Sequence, residues 1–122
     1  MRNQMTLGEL KRALERKNQS APCVYDFGYF VPKDIGSWRG DYRYIAIGYE
    51  RGGSPTVADT LKLVSDAIGQ EFTGYKGGEF YMDESTRVYV SNNGEACHTA
   101  IIDVLEVEYS VILATEYHAY IG

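Results

Sequence analysis

A chain of 122 residues with 44% hydrophobic content lies near the commonest domain size, so residues 1–122 are expected to form a single domain whose core needs no disulfide or metal staple. No apolar run approaches the roughly 20 residues of a membrane helix, and the opening MRNQMTLGEL has no apolar stretch before a small-residue cleavage site, so neither a membrane span nor a secretory signal is expected. The net charge of -5 is unevenly divided, nine Lys/Arg against six Asp/Glu in residues 1–51 and three against eleven in residues 52–122, and the overall acidity argues against duplex nucleic acid as a partner.

The first element is a helix over TLGELKRALERKN. Thr6 and Glu9 have capping-box spacing, Met5 and Leu10 that of a hydrophobic staple, and Leu7, Leu10 and Leu14 share one face. CVYDFGYFV and DYRYIAIGYE then read as two strands, joined by a polar, glycine-rich loop over residues 33–42. SPTVADTLKLVSDAIG is the second helix, with Val57, Leu61, Val64 and Ile68 at helical period, Pro55 at its start and Gly69 at its stop. GEFYM, RVYVS, TAIIDVLEVE and YSVILATEYHAY follow as strands, with DEST and the NNG of residues 92–94 as hairpin-type breaks. The fold class expected is α+β: an antiparallel β-sheet of about five or six strands with two amphipathic helices packed on one face. TLGEL and TVADTL echo one another, which hints at a duplicated half.

Catalytic chemistry finds little support. Two histidines and two cysteines are too few for a familiar metal cluster, and no cofactor motif is present. Cys23 and Cys97 are expected to be reduced and half-buried. Cys97 and His98 are adjacent on an expected strand, so their side chains point to opposite faces and do not form a dyad. Glu106 and Glu108, two apart, share a strand face instead of opposing one another across a cleft. The protein is read as non-enzymatic, without cofactor or metal.

Eleven tyrosines and thirteen glycines are the more unusual numbers. Tyrosine gives stiff contact area and a hydroxyl at low entropic cost, which suits recognition, but it also suits strands. In GYKGGEFYM, residues 74–82, Lys76 precedes Gly77 and Gly78 and a strand follows, the reverse of the Walker order. The segment is therefore either a turn into a strand or an anion-binding nest of backbone amides beside Lys76, with Phe80 and Tyr81 able to stack on a base. Trp38, Arg39, Tyr42 and Arg43 have the same dual character, since guanidinium and ring together suit a phosphate or an adenine.

Taken together, SWRGDYRYIAIGYE, GYKGGEFYM and RVYVSNNGE resemble a pattern of small proteins carried by phages and prophages. The resemblance implies a counter-defence factor in the host cell cytoplasm, of a kind that either sequesters a nucleotide-derived immune signal or blocks a host defence protein. The first kind leads: a small anionic, nucleotide-like ligand of the cyclic oligonucleotide or cyclic ADP-ribose type. Arg39, Arg43 and Lys76 would hold its phosphates, Trp38, Tyr42, Phe80 or Tyr81 would stack on its base, and Asn92 or Asn93 would bind its edge. The alternative is a protein inhibitor of a host complex such as a CRISPR effector, its acidic half mimicking phosphate. A homo-oligomer is expected in either case, and head-to-tail pairing of the basic and acidic halves is one way to form it.

Overall fold

The computed structural model describes residues 3–37, 44–73, 79–92 and 95–117, with residues 37, 73, 79, 80, 92 and 95–97 described through their backbone alone. The elements run α1 (Leu7–Glu15), β1 (Cys23–Tyr25), β2 (Phe30–Ser37), β3 (Tyr44–Arg51), α2 (Val57–Ala67), β4 (Glu71–Thr73), β5 (Glu79–Tyr81), β6 (Arg87–Asn92), β7 (Glu95–Glu106) and β8 (Val111–Tyr117). A six-stranded sheet has the order β1-β8-β7-β6-β3-β2, and β4 and β5 form a separate two-stranded ribbon. β1 and β2, the two ends of that order, lie beside one another, so the sheet is curled and barrel-like.

The fold is α+β and largely antiparallel, with two parallel pairs, β1 with β8 and β3 with β6. The second pair follows from α2, because a helical crossover returns the chain to the end at which β3 began. Strand alternation puts Ile45, Ile47, Val88, Val90, Val111 and Leu113 on the face that meets the helices, and Ala46, Tyr89 and Ala100 on the other. In β7 the inward positions Ile101 and Val104 are three apart, because the register slips between Ile101 and Asp103.

The first helix begins as the sequence predicts, while the second starts at Thr56, one residue after the Pro55 expected at its start. Thr6 caps α1 with Glu9 and Thr56 caps α2 with Asp59, each as a complete capping box. Leu7, Leu10 and Leu14 from α1 and Val57, Val64 and Ala67 from α2 are all fully buried in one cluster with the inner sheet face. Gly69, in the left-handed region at φ 85°, ends the second helix one residue after its cap.

The echo between the helices extends through the fold. The chain consists of two αβββ halves, α1-β1-β2-β3 and α2-β6-β7-β8, and each helix start is bound to the first strand of the other half. Leu7 N donates to Thr86 O (2.8 Å), Gly8 N to Glu84 O (2.9 Å), and Val88 N to Met5 O (3.1 Å). At constant offset, Val57 N donates to Ala21 O (2.9 Å), Ala58 N to Gln19 O (3.0 Å), and Cys23 N to Pro55 O (3.0 Å). The cap residues themselves form matching bridges, Thr6 with Arg87 and Thr56 with Pro22. The parallel ladders match too: Cys23 and Tyr25 face Val111 and Leu113, as Val88 and Val90 face Ile45 and Ile47. Because β1 and β6 run in the same direction, the pseudo-two-fold axis lies along the barrel.

Four expectations are corrected. CVYDFGYFV is not one strand; it turns at Gly28 (φ 53°) and divides between β1 and β2. The loop expected from residue 33 is strand as far as Ser37, bulged at Asp34, the one described non-glycine residue with positive φ (49°). GEFYM does not join the main sheet but pairs with β4, a strand the sequence reading missed, so DEST is a connector between sheets and not a hairpin. The inward face of α2 uses Thr60 and Ala67 more fully than Leu61 and Ile68.

Candidate functional site

The strand directions define two ends of the barrel. β1, β3, β6 and β8 begin at the lower end, and there β2 and β7 finish. Residues 38–43 join Ser37 to Tyr44 at this lower end. Residues 74–78 join β4 to β5 in the segment that runs from α2 to the start of β6, and β4 lies against β2. Phe72 of β4 packs on the core, which fixes the ribbon in place. Its base is closed by Gly69 N donating to Met82 O (2.6 Å) and Met82 N donating to Gln70 O (3.3 Å).

Of the expected ligand residues, Trp38, Arg39, Tyr42, Arg43, Lys76 and Asn93 lie outside the described residues, and Phe80 and Asn92 are described through backbone alone. Tyr81 is described, with its ring 67% exposed. The ribbon that carries residues 74–78 thus lies against β2, the strand whose end at Ser37 leads into residues 38–43. Asn92 is not: β6 begins at Arg87 beside Tyr44 and runs upward, which puts Asn92 about 16 Å further along the strand.

At the lower end the pseudo-two-fold axis relates the β2–β3 connection to the β7–β8 turn, and the α2–β6 segment to the α1–β1 loop. Between that turn and that loop the structure has a cleft of about 280 Å³, lined by Asn18, Ser20, Ala21, Pro22 and residues 106–110. The turn is closed by Val107 N donating to Ser110 O (2.9 Å). It exposes Tyr109 (80%) and Val107 (46%), and neither Glu106 nor Glu108 makes an ion pair among the described residues. Glu106 ends β7 and Glu108 lies in the turn, so the shared strand face expected for them is replaced by a shared turn. The sequence VEYS has no Gly, Pro or Asn to mark the break, so the expected strands abut between Glu108 and Tyr109, whereas the structure turns over residues 107–110.

The upper end carries an aromatic cluster in which Tyr25 and Phe27 stack at 4.9 Å and Phe30 and Tyr49 meet edge-on at 4.8 Å, with Arg51 5.7 Å above Phe30. Cys23, expected to be half-buried, is fully buried, and burial pushes its thiol up to about 11 against a weaker lowering by Thr60. A protonated, enclosed thiol is a core residue and not a nucleophile. His98 is half-buried, with its ring 5.6 Å from that of Tyr117. Among the described residues no three His, Cys, Asp or Glu side chains are grouped to hold a metal, and no helix is long and apolar enough to cross a membrane.

Comparison with protein-family models, curated proteins and solved structures finds no match to this chain.

Proposed function

We propose that the protein is a non-enzymatic binding protein of phage type that sequesters a small anionic, nucleotide-derived signal at the lower end of the barrel, in the cytoplasm of a host cell. The observation that carries this reading is the contact of β4 with β2, through which the segment bearing Arg39 and Arg43 and the segment bearing Lys76 start from neighbouring strands. Arg39, Arg43 and Lys76 supply charge-assisted hydrogen bonds to phosphate, and Trp38, Tyr42, Phe80 and Tyr81 supply stacking surface. Asn92 is left out of this narrowed set, since β6 carries it about 16 Å from the end at which Tyr44 and Arg87 lie, and Asn93 lies outside the described residues. Depletion by mass action requires affinity and no chemistry, so the reading needs no catalytic group.

Isothermal titration calorimetry against cyclic dinucleotides, cyclic trinucleotides and cyclic ADP-ribose isomers tests it. One of these should bind with a stoichiometry near one site per chain, and Lys76→Glu should abolish the heat without lowering the melting temperature. No heat with any ligand at micromolar protein would overturn the reading. A second reading, an inhibitor that docks on a host defence protein, is favoured by the strongly exposed rings of Tyr29 and Tyr117 at the upper end. Stoichiometric capture of a host protein, lost on Tyr29→Ala with Tyr117→Ala, would select it.

A further inference from the structure

The helices of the two halves are exchanged within the chain. α1 lies against α2 and β7, and α2 lies against α1 and β2, so each helix packs on the middle strand of the other half. The parallel ladders β1 with β8 and β3 with β6 also join the halves. So do Met5 N donating to Ile101 O (2.8 Å), the Gln4 amide donating to Val88 O (2.8 Å) and the Arg12–Glu84 ion pair (3.5 Å). Each half on its own would leave the apolar face of its helix, Leu7, Leu10 and Leu14 or Val57, Val64 and Ala67, without the strand it packs on.

One covalent connection joins these halves, residues 52–55, between the end of β3 at Arg51 and the cap of α2 at Thr56. Gly52 and Gly53 are both in the left-handed region, at φ 85° and 84°, and Gly52, Gly53 and Ser54 are exposed. Two successive left-handed residues turn a chain sharply, and here the chain that has run up β3 is sent back along α2. We propose that Gly52–Gly53 is a hinge and that the chain has a second folded form, a dimer of exchanged halves. In it each barrel takes α1-β1-β2-β3 from one copy and α2-β6-β7-β8, with the β4–β5 ribbon, from the other. Every contact within a barrel is the same in both forms, so the linker and the protein concentration set the balance between them. A short linker holds the halves at an effective concentration on the order of millimolar, and below that the closed single chain prevails. Extending the hinge removes that advantage. Each barrel of the pair keeps both of its ends, so the exchange neither rests on the ligand reading nor competes with it.

Gly52→Pro with Gly53→Pro fixes both φ angles at about -65°, and deletion of the two glycines removes about 7 Å of reach. Light scattering after refolding from urea at high micromolar protein should give twice the 13.7 kDa of one chain for both variants. Wild type and Gly52→Asn should give one chain, since asparagine tolerates the left-handed region. The dimers should survive dilution to nanomolar concentration and separate only after unfolding in urea, because exchanged halves part only when both barrels open. Arg12→Lys, added to each protein, allows a carbodiimide to form an amide to Glu84. That link should join two chains in the hinge variants and lie within one chain in the wild-type background. Two hinge variants that are folded single chains or do not fold, a dimer that falls apart on dilution without urea, or a link to Glu84 within one chain of the variants would each overturn the proposal. No ligand is present in any arm, so failure here leaves the calorimetric test of the ligand site untouched.

Discussion

Replacing Cys23 by alanine should stabilise the protein at alkaline pH although it destabilises it at neutral pH. The side chain is fully buried in the cluster that holds both helices against the sheet, and burial raises its pKa from 9.0 to about 11. Below pH 9 the thiol keeps its proton in both the folded and the unfolded chain, and its contribution to stability is fully present. As the pH passes 9 the unfolded chain ionises while the folded chain does not, so stability is lost until the folded thiol itself titrates near 11. At about 1.4 kcal/mol for each pH unit of separation, the loss reaches about 2 kcal/mol at pH 11. Removing the sulfur costs about 1 kcal/mol of packing at any pH. The two stabilities should therefore cross between pH 9 and pH 11. Eleven tyrosines titrate in the same range, so the assay is the difference between wild type and Cys23→Ala in urea unfolding across a pH series, in which the tyrosine contribution cancels. A difference that stays constant with pH would refute the reasoning, because it would mean that the folded chain lets the thiol reach water.

Thr6→Ala and Thr56→Ala should each cost about 1 kcal/mol in denaturant unfolding, and the double variant should cost their sum, since the two capping boxes share no partner. Gly48→Ala should lower stability by about 1–3 kcal/mol, because the added methyl meets the backbone oxygens of Lys33 at 2.8 Å and Ser91 at 3.2 Å. Gly36→Ala, where a methyl meets nothing within 4 Å, is the control and should leave the melting temperature nearly unchanged. Tyr25→Phe should cost about 1 kcal/mol, since the buried hydroxyl donates to Ile47 O (3.2 Å) and Gly48 O (3.1 Å).

The parts of the fold that follow from local chemistry were legible. Thr6 with Glu9 marked one helix start, Gly69 marked a helix end, and the alternation in YIAI and RVYV marked strands with one buried face. What stayed hidden was non-local. No residue in TAIIDVLEVE announces that β7 will pair with β8 and β6, or that β8 will run parallel to β1, because pairing depends on which strands the helices bring together. β4 is hidden because EFT is too short to show a period, and the break expected between Glu108 and Tyr109 widens to a turn over residues 107–110 that VEYS, with no turn former, does not mark. The ligand residues were chosen by type, which identifies arginine and aromatic side chains but not their depth along a barrel. Asn92 belongs to that set by type alone, and it lies about 16 Å along β6 from Arg87.

The matching frameworks of the two halves direct attention to the place where they differ. Matching hydrogen bonds tie each helix start to the opposite half, and matching core positions fill the space between them, so most buried residues are committed to holding the halves together. The α1–β1 connection is a simple loop through residues 16–22. The equivalent connection from α2 to β6 contains the β4–β5 ribbon, anchored on the core by Phe72 and on β2 by β4. An insertion at a surface loop costs little in closure entropy, and a core already completed by pseudo-symmetry gains little from it. The ribbon instead carries residues 74–78 and the exposed Tyr81, and the α1–β1 loop, its counterpart across the axis, lines the cleft with Glu106 and Glu108. The two matching halves build a barrel with two equivalent positions at one end. The ribbon makes those positions unlike, and the proposed anion site draws on that difference.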